Sequence, residues 1–254
     1  MTSKAVTGGR PPRNVVLASL ARAQKSNRGA AGYSRWVNRP VGRQLAATAY
    51  RAGLSPNQVS VISAGFTFAG IVLLATLRPT WPLAVVVTAS LLLGYAFDSA
   101  DGQVARLRGG GTLAGEWLDH VLDALKLSTF HIAIAIMWFR YYDLHRVVLL
   151  IPLGFAVVSA VFFFALILSD FMRRLADART GGGGVPTASV RPREAAPVLR
   201  SLVVLPNDYG VLCLSVLLIA AHPAFVATYA ALFAANAIFL VVGSVRWYRE
   251  VARL

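Results

Sequence analysis

Asp98, Asp101, Asp119 and Asp123 lie within 26 positions, as one pair three apart and one pair four apart. The 254-residue chain has only 11 Asp and Glu, and Glu116 falls in the same window. Long apolar runs flank the window on both sides. A carboxylate in the bilayer core costs roughly 2.5–3.5 kcal/mol at a helix centre on insertion scales. Four together demand compensation, and divalent cations supply it. Hard oxygen donors at this density suit Mg²⁺ or Mn²⁺ rather than zinc. Four carboxylates carry a formal −4, which two divalent ions neutralise. Two such ions about 3.5–4 Å apart would clamp a diphosphate and stabilise the charge that develops on group transfer. On helices, each aspartate pair projects from one face. Gly102 and the glycines at 109–111 allow a tight reversal that points both pairs at one place. Gly102, Ala105 and Gly115 are small enough for a nucleotide to approach the helix backbones, and Arg106 offers a guanidinium to phosphate.

Helices in a membrane must carry these side chains. Charged residues make up 14% of the chain and apolar ones 56%, with a mean hydropathy of +0.60. A soluble domain carries about 25% charged residues. The apolar excess comes in long blocks that leave no room for a separate soluble domain. The expected fold is an all-α polytopic membrane protein with six transmembrane helices, preceded by an amphipathic juxtamembrane helix. The spans are predicted at about 57–77, 81–99, 113–139, 147–170, 208–221 and 224–246. Residues 33–52 can place Trp36, Val37, Val41, Leu45 and Ala49 on one face and their arginines elsewhere, which suits a helix lying at the membrane surface. The division is a basic tail over 1–32, expected to be largely disordered, and a membrane domain over 33–254. No secretory signal is expected in residues 1–56, which lack a sustained apolar core.

The net charge of +14 is concentrated in alternate loops. Residues 1–55 hold ten Lys and Arg and no acid. The turn after the first aspartate pair adds Arg106 and Arg108, and the long fourth loop and the tail add more. The bias puts both termini and the aspartate cluster on the cytoplasmic side, of the cell membrane if the chain is bacterial. No basic module with aromatic or groove-reading elements is present, so nucleic acid is not an expected partner. Cys213 is the single cysteine, which excludes an intrachain disulfide. Glycines at 181–184 and nearby prolines make the fourth loop a lid or a tether.

The run D-x-x-D-G-x-x-A-R-x(8)-G-x-x-x-D-x-x-x-D, from Asp98 to Asp123, resembles the signature of the CDP-alcohol phosphotransferase family at every fixed position. Eight identities at fixed spacing arise by chance at a given site on the order of once in a billion, so the signal is specific. The six-helix layout, the amphipathic helix and the Pro56-Asn57 start of the first span extend the resemblance over about residues 33–248. The resemblance implies an enzyme of phospholipid synthesis. An alcohol attacks the β-phosphorus of a CDP-linked donor, most readily CDP-diacylglycerol, and CMP is released. It implies Asp98, Asp101, Asp119 and Asp123 as ligands of two Mg²⁺ or Mn²⁺ ions, with Asp123 also the general base. It implies nucleotide contacts at Asp98, Gly102, Ala105, Arg106 and Gly115, and a homodimer. A carboxylate base beside metal has a lowered pKa, so placement supplies its value.

Two points stay open within the resemblance. The run from Gly115 to His120 is similar to the G-E-x-x-D-H variant of choline and ethanolamine phosphotransferases, which transfer a head group to diacylglycerol. His120 is then an alternative base. The acceptor alcohol is not specified. An E-R-x-E-R-like segment, a feature of inositol-phosphate enzymes, is missing after helix four. Lys126, Arg173 and Arg174 are candidates for an acceptor phosphate. Outside the resemblance, intramembrane aspartates also mark cation transporters, but these cluster at one end of two helices without internal repeats. His131 is expected to pack in the core and Asp208 to cap helix five. The alanines of the last two helices suit close packing or a dimer face.

Overall fold

Val16 and Leu20, one turn apart in the basic N-terminal region, are buried side chains. They belong to α1 (Arg13–Arg22), which packs on α2 (Arg39–Ala52) and α4 (Trp81–Leu107). The computed structural model describes residues 11–22, 31–179 and 198–254. The expectation of disorder does not hold for Arg13–Arg22. The i, i+4 apolar pair there is short, but α2 and α4 give it a surface to cover. The lid or tether expected around residues 181–184 lies outside the described residues.

The remaining long helices are α3 (Pro56–Thr76), α5 (Leu113–Tyr141), α6 (Leu150–Arg179) and α9 (His222–Val251). Two short ones, α7 (Val198–Val203) and α8 (Tyr209–Ser215), lie between α6 and α9. Helix starts follow from local chemistry. The Ser55 hydroxyl accepts from the Gln58 amide, and the Gln58 side chain accepts from the Ser55 amide, a reciprocal cap with Pro56 just inside. The Thr80 hydroxyl accepts from the Leu83 amide to cap α4, and the Thr112 hydroxyl accepts from the Gly115 amide to cap α5. The surface helix expected at 33–52 is α2 with a single π-type turn, Ser34–Asn38, before it.

Among the described residues, five helices are long and apolar enough to cross a membrane: α3, α4, α5, α6 (counted with the turn before it) and α9. The sixth span, expected at 208–221, is only the apolar stretch Tyr209–Leu218, made of α8 and a 3₁₀ turn. Ten helical residues rise about 15 Å against a hydrocarbon core of about 30 Å, too little to span alone. Its two ends nevertheless sit far apart in the bundle. Asp208 accepts from the Ser34 amide at 2.9 Å, and the Ile219 carbonyl accepts from the Tyr142 hydroxyl at 2.6 Å, beyond the far end of α5. The segment therefore runs along the bundle, with its start supported by the loop before it. Asp208 also caps α8 through the Gly210 amide, as expected.

Close helix approach sets the position of the aspartates. A Cβ on Gly94 of α4 would lie 2.1 Å from Thr67 Oγ1 and 3.1 Å from two backbone atoms of α3. The Ser63 hydroxyl donates to the Gly94 carbonyl at 2.8 Å across the same contact. Gly94→Ala is expected to force α3 and α4 apart at a cost of about 1–3 kcal/mol, read as a lower melting temperature in detergent. An unchanged melt would mean that the approach is not tight. On the other side, Gly42 of α2 rests on Ser99, and Asn38 Nδ2 donates to the Tyr95 carbonyl.

A second core lies toward the other end. Phe130, Trp138, Phe155, Phe225 and Tyr229 are buried together where α5, α6 and α9 meet. His131 sits among them, fully buried, with its Nδ1 2.5 Å from the Tyr229 hydroxyl and its Nε2 2.9 Å from Ser159 Oγ. Both ring nitrogens are satisfied, so this histidine is a packing residue, as expected. Val61, Val85, Phe164 and Val241 instead point outward, fully in keeping with a lipid-facing surface. The chain is a multi-pass helical membrane protein.

Candidate active site

The two aspartate pairs meet where the last turns of α4 face the first turns of α5. Sequence spacing placed the end of helix two near residue 99, but α4 continues to Leu107. Gly102 is therefore a helical residue, and the reversal is made by Arg108 to Thr112. Gly109 and Gly110 have φ of 93° and 130°, conformations that favour glycine. Arg108 fixes this turn by donating to the carbonyls of Gly53 and Leu54 at the end of α2. The two extra helical turns keep Gly102, Ala105 and Arg106 rigid and in register with the aspartates.

Asp98, Asp119 and Asp123 each bring one carboxylate oxygen to within 4.8 Å of the others. Asp101 is not in that group. One residue short of a full turn from Asp98, it turns toward α3, where its Oδ2 accepts from the Ser60 hydroxyl at 2.6 Å. The four carboxylates thus line one small cavity of ≈ 10 Å³ without all converging on a single point. Ser60 was not legible in the sequence, because a serine on an apolar helix carries no signal of a partner 41 residues away.

Lys126 enters the same cavity from α5. Its Nζ is 2.5 Å from Asp123 Oδ1 and 3.4 Å from Asp98 Oδ1, and it lies 5.1 Å from the ring centroid of Tyr209. Arg173 and Arg174 are further out. Arg174 pairs with Glu116 at 2.7 Å and with Asp170 at 2.8 Å, while Arg173 pairs with Glu250 at 3.0 Å and with Asp170 at 3.4 Å. These pairs tie α5, α6 and α9 together. His120 is directed along α5 to Glu116, at 3.9 Å, with its ring edge-on to Phe163.

A larger cavity of ≈ 960 Å³ opens beside the carboxylates. Gly102, Ala105, Arg106 and Gly115 all line it, together with Asp101 and Asp119. The Cβ position of Gly102 has no neighbour closer than Arg106 Nη1 at 3.6 Å, so a ligand has free access to the backbone there. Gly115 faces Asn57 Oδ1 of α3. The Arg106 Nε is buried without a hydrogen-bond partner among the described residues. A buried orphan donor of a permanently charged group is costly. An anion in the large cavity would satisfy it. The carboxylate oxygens offer only hard donors, which fit Mg²⁺ or Mn²⁺. Asp98, Asp119 and Asp123 would hold such an ion, with Asp101 at the cavity wall.

Residues 54–242 match the family model described as CDP-alcohol phosphatidyltransferase, about three quarters of the chain. The chain belongs to the CDP-alcohol phosphatidyltransferase family. A 92-residue stretch is 40% identical to the phosphatidylinositol phosphate synthase of Corynebacterium glutamicum, covering 35% of this chain and 38% of that protein. A 90-residue stretch is 37% identical to the phosphatidylinositol phosphate synthase of Mycobacterium marinum, covering 35% of each. The matched stretch thus spans little more than a third of these relatives' length. A crystal structure of Mycobacterium tuberculosis phosphatidylinositol phosphate synthase in complex with manganese and citrate aligns with a TM-score of 0.49 at 22% identity, covering 83% of this chain and 88% of that one. Within this phosphatidyltransferase family member, the matched region contains all four aspartates and the residues lining the large cavity.

Proposed function

We propose that the protein is a divalent-metal-dependent phosphatidyltransferase that joins an alcohol to the phosphatidyl group of CDP-diacylglycerol and releases CMP. The observation that carries this is the convergence of Asp98, Asp119 and Asp123 beside a cavity lined by Gly102, Ala105, Arg106 and Gly115. Family membership and the likeness to phosphatidylinositol phosphate synthases favour CDP-diacylglycerol as the donor.

Asp98, Asp101, Asp119 and Asp123 would hold two ions. Bound Mg²⁺ or Mn²⁺ supplies charge neutralisation for the diphosphate and for the departing CMP. Gly102, Ala105 and Gly115 admit the nucleotide against the α4 and α5 backbones. Asp98 lines the small cavity and not the large one, so it would reach the donor through a bound ion, and Arg106 donates its free Nε–H to a phosphate oxygen. The alcohol oxygen bonds to the β-phosphorus, and the bond from that phosphorus to the bridging oxygen breaks. The electron pair leaves on CMP, and the alcohol proton passes to the Asp123 carboxylate. His120 pairs with Glu116 and lines the large cavity but not the small one that the four carboxylates share, which favours Asp123 as the base.

Arg173 and Arg174 reach the large cavity already paired with carboxylates. An acceptor phosphate would bind them by exchanging those partners, a step open to a phosphorylated polyol of the kind the relatives' name indicates. The loop charge bias supports a cytoplasmic orientation for the aspartate end and both termini in the cell membrane. α6 and α9 bury 11% and 17% of their apolar windows, against 39–44% for α3 to α5, and α9 exposes Ala227, Ala231 and Ala234. This supports a homodimer, for which crosslinking in membranes would give the mass of two chains. The principal test is CMP release from CDP-diacylglycerol by the purified protein with Mg²⁺ or Mn²⁺ and a panel of alcohols. Release that needs both metal and CDP-diacylglycerol is expected. Release only from CDP-choline or CDP-ethanolamine with diacylglycerol would overturn the donor assignment.

A further inference from the structure

Lys126 is one of only three lysines in the chain, and it stands between Leu125 and Leu127 on an apolar stretch of α5. It is 8% exposed. An isolated ammonium in such a place is unfavourable, and a residue of this kind needs a compensating partner. Two partners are present, the carboxylates of Asp98 from α4 and Asp123 from its own helix, and the Tyr209 ring covers a further side. Both carboxylates belong to the set of three that converge. Among the described residues, no other lysine or arginine lines the small cavity.

We infer that Lys126 is a resident cation of the carboxylate cluster, which holds Asp98 and Asp123 together across the α4–α5 gap when no metal is bound and competes with metal for them. It is a positioning residue rather than a catalytic one. Two consequences follow from charge alone. With Lys126, the four aspartates amount to a formal −3, and a metal ion must compete with the ammonium for the carboxylates of Asp98 and Asp123. With two divalent ions the cluster then reaches +1 rather than neutrality, which suits an anionic diphosphate donor. The displaced ammonium has Tyr209 as its nearest alternative support.

The inference rests on the metal-binding reading proposed above, and the test separates the two. Mn²⁺ affinity is measured on the full-length protein in detergent, by the electron paramagnetic resonance of free Mn²⁺, for wild type, Lys126→Met and Lys126→Arg. The melting temperature is read with and without Mn²⁺. Lys126→Met is expected to melt lower than wild type without metal and to bind Mn²⁺ at least about tenfold more tightly, since a positive charge near the ligands is gone. Lys126→Arg keeps the charge and is expected to return the affinity to within about threefold of wild type. Equal or weaker Mn²⁺ binding by Lys126→Met would overturn the inference while leaving the metal site intact. Absence of Mn²⁺ binding by the wild type would instead overturn the metal reading itself. If Lys126→Met does not fold, Lys126→Gln is prepared in Mn²⁺ and then stripped with chelator. Its affinity decides by the same criterion.

Discussion

Asp123→Asn is expected to lower CMP release by about 10²–10⁴-fold, the range that a positioned general base contributes. Asparagine keeps the size and the hydrogen-bonding reach of the side chain but accepts no proton at neutral pH. The fold should survive, because Lys126 keeps Asp98 as a partner when the Asp123 charge is removed. Circular dichroism and a melt in the presence of Mn²⁺ check this point. His120→Asn is the matched control. Its ring pairs with Glu116 and packs on Phe163, outside the carboxylate cluster, so its loss should change CMP release by less than about tenfold, below the general-base range. The opposite ranking, with His120→Asn inactive and Asp123→Asn near wild type, would transfer the base to His120 and revive the head-group transfer reading.

Asp119→Ala should have a comparable effect on activity through a different cause. Asp119 is one of the three aspartates whose oxygens converge, and its replacement leaves Lys126 with the carboxylates of both Asp98 and Asp123. Its removal takes away a metal ligand without freeing a buried ammonium. Loss of even an outer partner of a metal ligand costs about 10–100-fold in affinity or activity, and loss of the ligand should cost at least that much. The readout is Mn²⁺ affinity together with the gain in melting temperature on adding Mn²⁺, both expected to fall. An Asp119→Ala protein that binds Mn²⁺ like wild type would exclude Asp119 from the ligand set. Full activity in chelator would contradict the metal requirement altogether.

Much of this arrangement was legible in the chain. The starts expected at about 57, 81 and 113 fall within a residue of α3, α4 and α5, whose caps are decided within four residues. The pair spacings three and four apart were enough to put the aspartates on helix faces. The α4 boundary was harder, since Gly102 suggested a turn where neighbouring helices in fact keep the backbone helical. The sixth span is shorter than expected for a related reason. Its apolar residues satisfy a hydropathy count, but Asp208, Pro206 and Asn207 hold the start of α8 inside the bundle, where Ser34 and Asn236 bond to them.

The sequence by itself determined the membrane class, the helical layout and the identity of the carboxylates, because these depend on composition and on spacing within one helix. Only the tertiary structure decided the partner of each side chain. It gave Asp101 to Ser60, Lys126 to Asp98 and Asp123, and Arg173 and Arg174 to acids on three helices. Such pairings join residues up to 77 positions apart. They depend on how closely helices approach, and that distance is set by small residues such as Gly94 and Gly42 meeting particular neighbours. No local pattern encodes the neighbour, so the charge balance of the site emerged only once the helices were packed.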